Sequence, residues 1–122
     1  MYLCKDMIGI FDSGVGGLSV FREIKKMLPE EDYIYYSDNA NCPYGEKPKE
    51  FIIKRAKEIT EFLLSEGAEI IVVACNTATA YGLGDIEKLL QRSGTGVKVI
   101  GVINAGVRAT LADMDPAKNY AV

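Results

Sequence analysis

Alternating strand and helix signals along the chain predict an α/β fold. The arrangement expected is a parallel sheet with right-handed crossovers and helices on both faces, a flavodoxin-like three-layer α/β/α sandwich. Two observations carry this. Short apolar runs of strand length recur at 8–12, 33–37, 69–74 and 97–103, with helical apolar spacing between them. Each of these runs ends in polar or small residues, as strands do where they hand over to loops above a sheet.

The first strand is Ile8-Gly9-Ile10-Phe11-Asp12, followed by a turn at Ser13-Gly14-Val15-Gly16-Gly17. Leu18, Phe21, Ile24 and Leu28 then mark a helix over 18–28 that Pro29 stops. Tyr33-Ile34-Tyr35-Tyr36-Ser37 is rich in β-formers, and its tyrosines are expected in or near the core. A polar loop over 38–47 contains Pro43-Tyr44-Gly45, and Pro48 suits the first turn of a long helix. Ile52, Ala56, Ile59 and Leu63 line one face of that helix, and Gly67 closes it. The third strand, 69–74, is continuously apolar, as expected of a strand covered on both faces. Gly82 and Gly84 predict a weak or broken turn after Thr77, with a helix restarting at Asp85 and running to about Arg92. A fourth strand over 97–103, a short helix over 105–114 and the opening of a fifth strand at 120–122 complete the reading.

Composition narrows the function classes. The 122 residues and 48% hydrophobic content suffice for one ordinary core. The 14 basic and 17 acidic residues give −3, without a basic stripe, so neither nucleic acid nor an anionic membrane is an expected partner. No apolar run reaches membrane-spanning length, and residues 1–6 lack a signal-peptide pattern. Cys4, Cys42 and Cys75 are scattered, which fits a reducing cytoplasm better than a disulfide scaffold. With no histidine in the chain, a zinc site lacks its usual ligands and no Cys-His couple can form.

In a parallel α/β sheet, ligands bind beyond the carboxyl ends of the strands, where strand order reverses. That rule gathers Asp12 and Ser13, the loop 38–45, Cys75-Asn76-Thr77 and Asn104 onto one rim. Cys75 stands where a strand hands over to a helix, beside free backbone N–H groups and the positive end of the helix dipole, a setting that favours a thiolate. The plainer alternative is a buried structural cysteine followed by an N-cap. Asn76 and Thr77 can cap that helix or hold a ligand, Ser13 can cap the first one, and Asp12 can be a turn residue, a proton-transfer partner or an anchor for an ammonium. The glycine loop lacks the third glycine of a dinucleotide fingerprint, where Ser19 stands, and has no Gly-Lys-Ser/Thr. Its glycines instead let helix N–H groups approach a small anion such as a carboxylate. Cys4 is expected to be inert and Cys42 to be an incidental loop thiol near the site.

Three segments together resemble the aspartate/glutamate racemase family, glutamate racemase above all: Phe11-Asp12-Ser13-Gly14-Val15-Gly16-Gly17-Leu18-Ser19-Val20, Asp38-Asn39-Ala40-Asn41-Cys42-Pro43-Tyr44-Gly45 and Ala74-Cys75-Asn76-Thr77-Ala78-Thr79. The resemblance implies a two-lobed, cofactor-independent, metal-free isomerase that supplies D-glutamate for peptidoglycan and is cytoplasmic and homo-oligomeric, a dimer. It covers only the first half of such an enzyme, with a first lobe over 1–104 and the connection to a second over 105–122. Ala105-Gly106 stands where many members have Pro-Gly. It further implies that Cys75 is one of two acid/base thiols, assisted by Asp12. Ser13, Pro43, Tyr44, Gly45, Asn76 and Thr77, with Asp12 and Cys75, would hold the substrate. The second thiol, in a Gly-Cys-Thr-His motif, is not among these residues, so the chain alone is expected to be inactive. An aspartate or other amino-acid racemase, or a non-catalytic carboxylate- or nucleotide-binding α/β module, is the alternative.

Overall fold

The computed structural model describes residues 6–102. Four parallel strands, β1 (Met7–Asp12), β2 (Asp32–Ser37), β3 (Ile70–Val73) and β4 (Lys98–Gly101), lie in the order β2-β1-β3-β4. The connecting helices are α1 (Leu18–Met27), α2 (Lys49–Ser65) and α3 (Asn76–Ser93), with two short 3₁₀ turns at Asn39–Asn41 and Tyr44–Glu46. The expected elements over 105–114 and 120–122, Asn104, Cys4 and the 104/105 boundary lie outside the described residues.

The sheet is covered on both faces. On one face Ile8, Ile10 and Val72 pack with Val20, Phe21 and Ile24 of α1 and with Tyr33 and Tyr35. On the other, Phe11, Ile71 and Val73 meet Ile52, Ala56, Ile59 and Leu63 of α2 and Ala78, Leu83, Ile86 and Leu90 of α3. Alternate residues of β1 and β3 serve opposite faces, and the unbroken apolar run of β3 follows from that. The apolar stripe of α2 is the one its spacing predicts, and a Schellman ending closes it. Gly67 takes φ 91°, its N–H donates to Leu64 and the Ala68 N–H donates to Leu63. Pro48 is the extended N-cap residue of α2, one position before the first turn.

The expected break near Gly82 is corrected: α3 runs unbroken from Asn76 to Ser93. A Cβ at Gly82 would stand 3.1 Å from the Ala56 Cβ, so the missing side chain is what lets α3 lie close against α2. Tertiary contact outweighs a loss of intrinsic propensity of about 1 kcal/mol per glycine.

Candidate active site

The chain leaves β1 through α1 to reach β2, then crosses back over β1 through α2 to reach β3. Strand order therefore reverses between β1 and β3. Their carboxyl ends lie side by side, with Phe11 in register with Val73 and the Ala74 N–H donating to the Phe11 carbonyl at 2.8 Å. An open cleft of about 420 Å³ sits at this point, with Asp12, Ser13 and Gly16 from the first loop and Ala74, Cys75 and Asn76 from the third in its wall.

Cys75 is the N-cap residue of α3, the place that Asn76 and Thr77 had been candidates for. Its extended backbone turns the side chain back over the first helical turn. The sulfur accepts the Ala78 N–H at 3.5 Å and donates to Ser13 Oγ, also at 3.5 Å. The thiol is buried at 7% exposure yet borders the cleft. The next turn is pinned by Thr79, whose Oγ1 donates to the Cys75 carbonyl at 2.8 Å. A cysteine thus occupies a position that Ser, Thr, Asp or Asn usually fills, with its sulfur at the positive end of an 18-residue helix.

Asp12 organises the glycine loop. One carboxylate oxygen accepts the Ser13 N–H at 2.7 Å; the other accepts the Gly17 N–H at the start of α1 and, at 3.4 Å, the Tyr35 hydroxyl. Two expectations change. Ser13 does not cap α1, because Gly17 is the N-cap residue and Asp12 meets its N–H. The anion held by the loop is this internal carboxylate, so the Ser13 and Gly17 amides are not free for a bound phosphate or carboxylate. Gly17 is required by close approach: a Cβ there would meet Ala74 Cβ at 2.8 Å and both Asp12 Oδ2 and the Tyr35 hydroxyl at 2.9 Å. Burial first, and then the Asp12 charge and hydrogen bond, push the Tyr35 phenol up to about 12. Ser37 Oγ donates to the Gly14 carbonyl at 2.6 Å and ties the loop to β2.

The other expected residues are dispersed. Asn76 is at the cleft, but Thr77, Pro43, Tyr44 and Gly45 do not form its wall. Pro43, after a cis peptide bond, and Gly45 are exposed on the loop that follows β2. Tyr44 points inward, 1% exposed, against Phe11, and its hydroxyl donates to Asp38. Cys42 is exposed, with its sulfur 3.3 Å from where a Gly14 Cβ would lie.

Residue-type reasoning passed over Arg55. Its guanidinium grips Asp38 with both oxygens engaged, Nε to Oδ2 at 2.9 Å and Nη2 to Oδ1 at 2.8 Å. The signal was there, since Arg55 falls three residues after Ile52 and four before Ile59, on the buried flank of α2. Burial alone would raise the Asp38 carboxyl, but Arg55, Tyr44 and Asn41 together hold it below the ordinary range. Burial, then Asp38, drives the Tyr44 phenol upward.

Among the described residues no group of His, Cys, Asp and Glu is placed to hold a metal ion. No helix among them is long and apolar enough to cross a membrane. No protein-family model matches the chain. The curated glutamate racemase of Listeria monocytogenes is 50% identical over 107 residues, which is 88% of this chain and 38% of that protein. Among solved structures, glutamate racemase from Aquifex pyrophilus superposes with a TM-score of 0.81 at 44% identity, over 92% of this chain and 42% of that one. Glutamate racemase from Francisella tularensis in complex with D-glutamate gives 0.78 at 36% identity, over 88% of this chain and 40% of that one. The chain thus spans well under half the length of the relatives it matches.

Proposed function

We propose that this chain, a homologue of the glutamate racemases, supplies the Cys75-bearing half of a cofactor-independent glutamate racemase site. The observation that carries the reading is the meeting of Cys75, Ser13 and Asp12 at the reversal of strand order, beside an open cleft. In this reading the Cys75 thiolate removes the α-proton from one face of bound glutamate. The proton passes to sulfur, and the electron pair of the C–H bond remains on the α-carbon as a carbanion. A second acid on the opposite face then returns a proton, inverting the centre. Racemisation needs that second group, and the chain carries neither a histidine nor a further cysteine in a Gly-Cys-Thr-His setting.

The local geometry suits the first half-reaction. Ser13 Oγ is within hydrogen-bonding reach of the sulfur and can donate to it once it carries charge. The α3 N-terminus faces the same sulfur with its dipole already in place, and only the Ser13 hydroxyl turns, from acceptor to donor, as charge moves. Asp12 acts by fixing Ser13 and the glycine loop, and as part of the cleft wall its carboxylate can meet an ammonium or a proton in transit. Asn76, exposed in the cleft wall, is a polar side chain available to a carboxylate. Peptidoglycan precursor supply, the cytoplasm and a homodimer are the setting that goes with this activity.

The test is alkylation of Cys75 by iodoacetamide, followed by mass spectrometry, with an added cysteine-containing peptide as the control. L- and D-glutamate should slow alkylation at Cys75 and leave the control peptide unaffected. Equal rates at Cys75 with and without millimolar glutamate would overturn the assignment. Slow uptake of solvent deuterium at the α-carbon, abolished in Cys75→Ser, would show the half-reaction directly.

A further inference from the structure

The polar cluster behind the Pro43-Tyr44-Gly45 loop takes no part in the chemistry above, yet it is the most densely bonded group in the described residues. Asp38, 4% exposed, receives the bidentate Arg55 fork, the Tyr44 hydroxyl and both contacts of the Asn41 amide at 3.1 and 3.2 Å. Arg55 also donates to Glu58 at 2.8 Å and to the Tyr36 hydroxyl at 3.3 Å. One guanidinium therefore joins three pieces of chain: the end of β2, the loop after it and the middle of α2. The Asp38 N–H in turn donates to the Asp12 carbonyl at 2.9 Å, so the cluster abuts the residue that holds the glycine loop.

We infer that Arg55 is a positioning residue, which through Asp38 sets the conformation of the rim loop 39–47 on which Pro43 and Gly45 are exposed. Loops of this kind are otherwise held by weak local bonds. The Asn41, Cys42 and Lys47 amides reach only carbonyls three residues back, at 3.1, 3.3 and 3.0 Å. A planar, permanently charged fork that meets a buried carboxylate on both oxygens fixes the start of the segment, while the Tyr44 ring packed on Phe11 anchors its middle. The functional consequence, a rim preformed for glutamate, rests on the reading of the site proposed above.

The test uses the full chain with Arg55→Met, Arg55→Lys and Tyr44→Phe, and reads amide hydrogen exchange together with glutamate protection of Cys75. In Arg55→Met, exchange at Asn41, Cys42 and Lys47 should accelerate about tenfold more than at the β1 and β3 amides, as expected for local opening. The glutamate concentration for half-protection of Cys75 should rise about tenfold, while its alkylation rate without glutamate stays within about twofold. Arg55→Lys keeps the charge without the fork and should recover part of both effects. Tyr44→Phe, which leaves the ion pair intact, should show the same loop-selective pattern at smaller amplitude; Arg55→Lys, with loop-selective acceleration over the parent, decides the matter if Arg55→Met does not fold. Exchange that is unchanged, or raised equally across β1, β3 and the loop, would overturn the inference. If the unmodified chain shows no glutamate protection, the reading of the site has failed, and the exchange pattern still decides whether Arg55 holds the rim.

Discussion

Asp12 ends β1 and Asp38 directly follows the adjacent parallel β2, and both are about 95% buried, but their charges are met in opposite ways. Asp38 faces a guanidinium, a phenol and an amide, and is closed inside protein on every side that carries a bond. Among the described residues no cation meets Asp12; two backbone N–H groups and a distant phenol donate to it, and it borders open space that a thiol also lines. A carboxylate sealed by a counter-ion holds structure. One held by main-chain dipoles at the edge of a cleft keeps lone pairs for chemistry.

Removing the sealed carboxylate should therefore do the greater damage to stability. Among the described residues, Asp38→Ala leaves the partly exposed Arg55 guanidinium with only the half-exposed Glu58 as an ionic partner and strips the buried Tyr44 hydroxyl of its acceptor. It should lower unfolding free energy by about 3 kcal/mol in urea titrations. Asp12→Ala loses contacts to two helix-start and loop amides and should cost about 1 kcal/mol, while abolishing glutamate protection of Cys75. Equal losses would erase the distinction. The acid limb sharpens it. The folded-state value of Asp38 lies below the ordinary one of about 4, so its contribution is complete above that pH and is lost as pH falls through the folded value. Asp38→Ala should flatten the decline of stability below about pH 4.

A second contrast lies within the glycine loop. Gly17→Ala forces a methyl against Ala74, Asp12 and Tyr35 at under 3 Å, and overpacking of this kind costs about 2 kcal/mol. Gly16→Ala meets only Asp12 Oδ2, at 3.8 Å, and should change stability by no more than about 0.5 kcal/mol. Thermal unfolding of the two variants side by side tests whether the loop is built around Asp12. Similar midpoints would mean it is not.

How much of this was legible in the sequence depends on the range of the interaction. The parallel sheet with helices on both faces, the apolar stripe of α2 and the sharing of one rim by Cys75 and Ser13 follow from apolar period and the switch-point rule, because every residue of an element votes on them. Leu18 and Leu28 of the predicted α1 stripe, by contrast, are exposed. The Asp38–Arg55 pair joins positions 17 apart on different elements, and residue types alone leave a lysine- and glutamate-rich helix with several possible partners. Tyr44 reads as a rim residue from its turn motif, yet its ring completes the core against Phe11. Gly82 reads as a helix breaker because propensity is local, whereas its purpose is a contact with Ala56 on another helix. The capping of α1 by Asp12 was hidden for the same reason: a carboxylate five residues before the amide it meets lies outside the usual capping spacing.

The smallest effect expected belongs to Tyr35, the residue that tells Asp12 apart from a carboxylate resting on backbone alone. Its hydroxyl lies 3.4 Å from both Asp12 Oδ2 and the Gly14 carbonyl, long for O–H donors, so Tyr35→Phe should change stability at neutral pH by no more than about 0.5 kcal/mol. The difference should appear at alkaline pH. The folded phenol titrates at about 12 and the unfolded one at about 10, so folding favours the neutral form. Its contribution is fully present below about pH 10 and is lost as pH rises through the folded value. Tyr35→Phe removes that loss, and its stability should fall less steeply than that of the parent between about pH 10 and 12. Phenolate absorbance, titrated in parallel, should lose its late-ionising component. Superimposable alkaline limbs for the two proteins would mean that the Asp12 carboxylate does not reach Tyr35, and that the main-chain amides alone hold it at the cleft.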